Sequence, residues 1–450
     1  MSVPRGPRGR FLVGNLVEFR RDRLEFMTRC AREYGDVVPM RLLGHPVLLL
    51  SRPDLIEQVL VHQTKHFIKH AGLRLYKPIL GNGLVTSEGD FWRRQRKLSA
   101  PAFQGSRLPA YARDMVEATD RLCWAWQKEL NGSSQPRDVN ADMLRLTLEI
   151  ACKTLFGADA CPDPNVVGHA MEQGLEGIAA RFRAAVPMPS WLPTRSNLRV
   201  RRSMRALHAI VARMIESRRR AGGEGDDLLS MLLSARDEDG SAMSPRQLLD
   251  EVLTLFLAGH ETTALALSYA LYLLAGHSAA QDGLRAELAR ELDGRLPEYA
   301  DLPRLAYTRK VVNEAMRLYP PADFLGREAT EDCIVAGIPV RKGTNLFMSQ
   351  WVMHRDGRYF PDPLTFNPSR WSEEFERTLP RFAYFPFGGG PRYCIGQTFA
   401  TAEAALVLAT LCQRFRFTPE PSFSLELNPG ITLRPKAGVS VEVSVAHAGS

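Results

Sequence analysis

From Val252 to Ala275 the chain is apolar almost without interruption, and the interruption, His260-Glu261, falls near the middle of the run. A run of this length outlasts any ordinary strand and matches a bilayer span. A membrane placement would put Glu261 near mid-bilayer, at a cost of about 2.5–3.5 kcal/mol for a charge on insertion scales, whereas a helix buried in protein can use the pair as a polar site. The segment therefore reads as a core helix. Ser244, Pro245 and Gln247 supply an N-cap, a first-turn proline and the third-position partner of a capping box, and Gly276 marks the end. Some thirty residues make a rod of about 45 Å, long enough to cross a whole domain.

Enough apolar material surrounds such a rod. The chain has 450 residues, 45% hydrophobic and 24% charged, which excludes disorder. Length alone allows about three domains, but no Gly/Ser-rich, Pro-rich or single-sign tract separates one stretch from another, so one domain over 1–450 is expected. The net charge of +8 invites an acidic partner. The densest basic runs, Arg199–Arg205 and Arg218–Arg220, lack finger spacing and interleaved aromatics, and read as solvated helix faces rather than a nucleic-acid reader. Seven cysteines stand singly at 30, 123, 152, 161, 333, 394 and 412, with no disulfide framework or zinc pair, and Met1–Arg10 lacks the apolar core of an export signal. A reducing cytoplasm is the expected location.

Helical patterns dominate, so the fold class is mainly α with a small β portion. Val37–Leu43 and Val47–Ser51 read as a hairpin turning at Gly44-His45-Pro46. Leu305–Tyr319 is an amphipathic helix stopped by Pro320-Pro321, and Ile395–Phe415 is an alanine-rich one. The long stretch between them reads as irregular and rich in Pro, Arg and aromatics, which suits chain that wraps a cofactor.

Its last part, Phe387-Gly388-Gly389-Gly390-Pro391-Arg392-Tyr393-Cys394-Ile395-Gly396, places three glycines ahead of a cysteine and the cysteine before a helix. Glycines admit positive φ and the close approach of a flat ligand. A helix N-terminus and nearby N–H groups favour the thiolate, hence an anionic metal ligand. Arg392 can reach an anionic group of the same ligand, and Gly396 keeps the first turn thin. A Walker A loop would need Gly-Lys-Ser/Thr, and a dinucleotide fingerprint a different glycine spacing. A redox cysteine would need a resolving partner, and Cys412 lies about five helical turns away.

Phe387, Gly390, Arg392, Cys394 and Gly396 match F-x-x-G-x-R-x-C-x-G, and the chain thereby resembles the cytochrome P-450 family. Three further motifs follow the family's order. Ala258-Gly259-His260-Glu261-Thr262-Thr263 is similar to its oxygen-activation segment, Glu314 and Arg317 to its E-x-x-R pair, completed by Arg370 of Pro368-Ser369-Arg370-Trp371, and Trp92 and Arg96 to its W-x-x-x-R propionate grip. The resemblance implies the P-450 fold, a long central helix over haem b, with Cys394 as the sulfur ligand to iron. It implies catalytic roles for Glu261 as a proton relay and Thr262 as a donor to dioxygen, space for dioxygen beside Gly259, cofactor contacts at Ala258, Phe387, Arg392 and Gly396, and a structural role for Glu314, Arg317 and Arg370. For Thr262 the alternative is a hydroxyl bonded back to its own helix. Arg327 is a further propionate candidate; His66 and His70 are weaker ones, for which an exposed polar side chain is an even alternative, and His260 and His354 stay unassigned.

The activity so implied is that of a monooxygenase using two electrons and dioxygen to hydroxylate or epoxidise a lipophilic small molecule. Peroxide-driven or rearrangement chemistry is an alternative that usually forgoes the acid–alcohol pair; a haem sensor would need neither residue. The lead-in over 1–16 is similar to the proline-rich hinge of microsomal members, without their anchor, so no membrane span is expected. With no reductase expected in the chain, a separate ferredoxin or flavodoxin with its reductase would supply electrons to what would be a monomer. Family topology draws the pocket from Lys69–Val85, Gly174–Pro189, Phe256, Leu257, Phe324, Leu325 and Ile431. Arg74, Arg181 or Arg183 would suit a carboxylate, which admits a fatty acid beside terpenes, steroids and polyketides.

Overall fold

A computed structural model describes the chain except residues 1–4, 75, 104, 158–165, 171–172, 175, 178–191, 223–224, 226, 237–239 and 447–450. Arg181, Arg183 and most of the Gly174–Pro189 pocket stretch lie outside the described residues. The contacts divide the chain into two compact units, each assembled from separate stretches: Met1–Leu75, Lys310–Cys394 and Leu425–Lys436 form one, and Tyr76–Arg309, Ile395–Ser424 and Ala437–Ser450 the other.

The first unit is built on a five-stranded sheet. Val37–Leu42 and His45–Leu50 pair as the expected hairpin. The turn is Leu43-Gly44, both at positive φ, and His45 and Pro46 belong to the second strand. Two left-handed residues match the twist of a two-residue hairpin, which is why the turn closes earlier than expected. Next comes Asn345–Met348, parallel to His45–Leu50, then Leu325–Ala329, then Phe67–Lys69. Strand alternation sends Leu50, Leu346 and Met348 into one apolar core and Val47, Leu49 and Phe347 into the other. Leu325–Ala329, Cys333–Val335, Ile338–Val340 and Asn345–Met348 all fall in the stretch read above as irregular. Strands of three to five residues broken by Gly and Pro carry too little alternation to register as a pattern.

The second unit is helical. Pro245–Ala275 forms as expected and packs chiefly on Val139–Phe156, while Gln397–Arg414 packs on Leu108–Leu130. Ser244 Oγ accepts from the Gln247 N–H at 3.2 Å. The reciprocal half of the capping box is missing, because the Gln247 side-chain oxygen faces Arg94 instead, at 3.5 Å. A three-stranded sheet of Gln135–Asp138, Ser440–Val445 and Phe415–Pro419 completes the unit. Cys152, buried in Val139–Phe156, is disulfide-bonded, against the expectation of seven single thiols; its partner lies outside the described residues. Among the described residues no helix is long and apolar enough to cross a membrane.

Candidate active site

The glycines of the cysteine loop do different work. Gly388 and Gly390 sit at φ +75° and +66°. A Cβ on Gly390 would lie 1.7 Å from the Leu60 carbonyl oxygen, and one on Gly389 2.3 Å from the Phe382 ring. The loop is thus wedged against Leu60 and Phe382, and only backbone without side chains fits there. The Cys394 N–H closes the turn on the Phe387 carbonyl at 3.1 Å. Leu325 Cδ1 stands 3.3 Å from the Cβ position of Gly388, so this predicted pocket residue does flank the loop. Gly396 differs: it has φ −91° and its Cβ position meets only Phe103, at 3.7 Å. The helix beyond starts at Gln397, later than expected, with Gly396 as its N-cap.

Cys394 is exposed. Burial pushes the Cys30 thiol up to about 11 and the Cys123 and Cys412 thiols up to about 12, and it also raises Cys333. Those four are held as thiols at neutral pH and are poor metal ligands. No group of three or more His, Cys, Asp or Glu able to hold a metal ion occurs among the described residues. An accessible sulfur on a glycine loop fits a metal that would arrive already ligated by a cofactor, as in haem.

In the second unit, Phe256, His260, Glu261 and Thr263 are buried, yet Ala258 between them is exposed and Leu257, Gly259 and Thr262 are half-buried. Ala258 and Thr262, four apart, share one face. An opening in the middle of the most buried helix is where a ligand can approach. The Thr262 hydroxyl donates to the Ala258 carbonyl at 2.9 Å, so the back-bonded arrangement is the one present. On the flank of Gly259, a Cβ would meet the Leu155 side chain at 3.4 Å, an ordinary contact with Val139–Phe156. Phe256 is fully buried and packs edge-on against Phe156, ring centroids 5.6 Å apart. Thr147 donates to the His260 carbonyl at 2.9 Å and the His260 ring lies 3.1 Å from the Phe256 carbonyl, which ties that histidine into the helix pair.

Trp92 is buried and Arg96 half-buried on the helix Gly89–Ser99, one turn apart as expected. Arg327 lies half-buried on its strand, with Nη1 donating to the Gly326 carbonyl at 2.9 Å, and Arg392 half-buried in the turn Gly390–Arg392. Arg74 is committed elsewhere: it pairs with Glu328 at 2.7 Å and donates to the Lys69 carbonyl at 2.8 Å. His66 pairs with Glu331 at 2.6 Å. His70 packs on Phe324 and Phe347, and burial, with Arg327, Arg74 and Arg23 around it, holds its pKa down at about 3, so it is a neutral ring. Phe324 belongs to that same apolar core, with Arg23 stacked on it. Ile431 is half-buried, next to Leu433, whose N–H bonds the Pro321 carbonyl at 2.8 Å.

Glu314 and Arg317 are fully buried and form a two-point ion pair, both bonds 2.8 Å. Arg370 Nε, Trp371 Nε1 and the Asn367 N–H also donate to Glu314, at 2.9, 2.9 and 3.0 Å. Arg317 further donates to the carbonyls of His354, Pro363 and Thr365. His354, left unassigned by the sequence, completes this centre by accepting the Phe385 N–H on Nε2 at 3.0 Å. Trp371 and Asn367 were not singled out from the sequence; their role depends on contacts that only folding creates.

The family model for cytochrome P450 matches residues 4–441. The chain belongs to the cytochrome P450 family. Cyclooctatin synthase of Streptomyces melanosporofaciens is 37% identical over 431 residues, 95% of this chain and 92% of that one. Cyclooctat-9-en-7-ol 5-monooxygenase of the same organism is 34% identical, over 92% and 89%. A solved structure, retinoic acid bound cyanobacterial CYP120A1, superposes with a TM-score of 0.88 at 28% identity, covering 99% of each chain. This P450 is accordingly a haem-thiolate monooxygenase with haem b as cofactor, hydroxylating or epoxidising lipophilic small molecules with dioxygen and two electrons. Members of the family generally take those electrons from redox partners.

Proposed function

We propose that Cys394 is the thiolate ligand of the haem and that the substrate is a neutral lipophile bearing no carboxylate. The observation that carries the first part is the contrast in exposure: Cys394 is open on a glycine-locked loop while Cys30, Cys123 and Cys412 are sealed and protonated. Trp92, Arg96, Arg327 and Arg392 would hold the propionates as hydrogen-bond and charge donors. Haem b, when bound, supplies the reductive activation of dioxygen. The protein's share is to admit dioxygen and substrate at the Ala258–Thr262 face and to deliver protons there. Glu261 would relay protons inward, and the Thr262 hydroxyl, released from the Ala258 carbonyl, would pass them on. That acid–alcohol pair favours monooxygenase over peroxide-driven chemistry.

The substrate reading rests on Arg74, the one described arginine among the carboxylate candidates, whose charge is already met by Glu328. Leu325 and Ile431 in the first unit, and Leu257 in the second, remain apolar candidates for contact with such a substrate. One relative is named for an unsaturated alcohol, cyclooctat-9-en-7-ol, whereas the superposed structure holds retinoic acid, so the two chemistries can be set against each other. In a ligand screen reading the Soret shift, alkenyl alcohols and hydrocarbons should bind, retinoic and fatty acids should bind at least about tenfold more weakly, and Arg74→Ala should leave affinities unaltered. Tight binding of acids that Arg74→Ala abolishes would reverse the assignment. We further take the whole chain as one catalytic domain, since each unit is discontinuous in sequence, and the protein as a monomer of the cytoplasm, where the disulfide at Cys152 would be an exception. A separate ferredoxin or flavodoxin with its reductase would provide electrons, drawn by the net charge of +8.

A further inference from the structure

The lead-in and the hairpin tip together form a corner of the first unit with an odd choice of residues. Arg10 and Gly14 exchange backbone hydrogen bonds at 2.9 Å, and within that loop the Val13 N–H bonds the Phe11 carbonyl at 2.9 Å. This closes a γ-turn around Leu12 at φ +68°. The neighbouring hairpin turn puts Leu43 at φ +51°, where Asn is the favoured companion of the following glycine. The two tips are tied together, the Leu43 N–H to the Val13 carbonyl at 3.2 Å and the Asn15 N–H to the Arg41 carbonyl at 2.7 Å. Among the described residues only six other than glycine have positive φ, and Leu12 and Leu43 are the two bulky ones. Both turns would close more easily on Gly or Asn. Nor are these leucines buried in return: Leu12 is 80% exposed, Leu43 47%, and Phe11 beside them 92%.

Strained backbone that displays apolar side chains to water stabilises nothing within the chain, so the side chains serve an external contact. Charge indicates which. From Arg5 to Arg21 the chain carries five arginines and one acid, Glu18, which pairs with Arg10 at 3.4 Å, and Arg8 and Arg41 are exposed. Phe11, Leu12, Leu43 and the half-exposed Val17 offer on the order of 500 Å², less than the roughly 800 Å² per partner of a stable protein interface. Two or three protruding apolar side chains within a basic rim are instead what a peripheral lipid contact requires. We propose that this corner binds an anionic bilayer surface, with Phe11, Leu12 and Leu43 entering the headgroup layer and Arg8 and Arg41 facing lipid phosphates.

The full-length haem-loaded protein is mixed with phosphatidylcholine vesicles, with and without about 30 mol% phosphatidylglycerol, and pelleted. The wild type should partition to the anionic vesicles only, and come off in about 0.5 M salt. The Phe11→Ser, Leu12→Gly, Leu43→Asn triple variant should lose at least about tenfold in partitioning, while its thermal stability holds or rises because both left-handed positions are relieved. The proposal fails if the wild type ignores anionic vesicles, if the triple variant binds as well as the wild type, or if the wild type is a dimer that the triple variant splits, which would make the corner an interface between copies.

Discussion

Two polar centres of this P450 are built on opposite terms. In the first unit, the carboxylate of Glu314 accepts from Arg317, Arg370, Trp371 and Asn367, and Arg317 spends its remaining donors on three backbone carbonyls. In the second unit, the centre of the long helix presents Ala258 openly and leaves the Thr262 hydroxyl bonded only to its own helix. The closed centre has no capacity left for a ligand, so its work is to hold chain. The open one can exchange a local hydrogen bond for a new partner at little cost, which is what a reacting site needs. Depth of burial and chemical role therefore run in opposite directions here.

The cysteine loop joins both characters, scaffold up to Tyr393 and chemistry at the Cys394 sulfur, and the largest effect is expected there. Cys394→Ala should abolish the carbon monoxide difference band of a thiolate-ligated haem and reduce turnover to background, with the far-ultraviolet circular dichroism spectrum unchanged because an exposed side chain is being removed. A variant that kept the normal pigment spectrum would end the assignment.

The closed centre should answer in stability instead. Glu314→Ala leaves Arg317 and Arg370 buried without their carboxylate, a loss of about 3–5 kcal/mol that urea unfolding would register, together with poor recovery of haem-loaded protein. If Glu314→Ala kept wild-type stability and lost only turnover, the division between scaffold and chemistry would be wrong.

Two glycines sharpen the same division. Gly390→Ala forces a Cβ into the Leu60 carbonyl at a left-handed position and should cost about 2–3 kcal/mol or more of stability. Gly396→Ala has an ordinary φ and free space, so its cost to the fold should stay below about 1 kcal/mol. Faster haem loss with unchanged unfolding would show that Gly396 serves the cofactor; equal destabilisation by both variants would show that it serves the chain.

What could be read from the sequence follows from how local each signal is. The start of the central helix, the cysteine loop and the Glu314–Arg317 spacing are set by residues within one or two turns of each other, and each was legible. The strands between Leu325 and Met348 were not, since three to five residues give no period and their partners lie up to three hundred residues away. The facing of side chains around the helix was the other blind spot. Phe256 sits two residues before Ala258 in sequence, yet 3.6 residues per turn carry it onto Phe156. Arg74 looked available only because Glu328, its partner, is far along the chain.

The smallest effect on stability, and the closest test of the open centre, belongs to Thr262. Its hydroxyl now satisfies a carbonyl that already accepts within the helix, and threonine is a poorer helix former than alanine, so Thr262→Ala should change unfolding free energy by no more than about 0.5 kcal/mol. If the hydroxyl leaves that bond to hand protons inward during turnover, the same substitution must separate electron use from product: NADPH consumption with a surrogate ferredoxin system continues while product per NADPH falls several-fold. Thr263→Ala is the control. Thr263 is buried, about 100° round the helix from Thr262, so its loss should lower stability without that uncoupling. Equal coupling in wild type and Thr262→Ala would mean that the open face admits substrate but handles no proton, and Glu261 would then have to act through some other group.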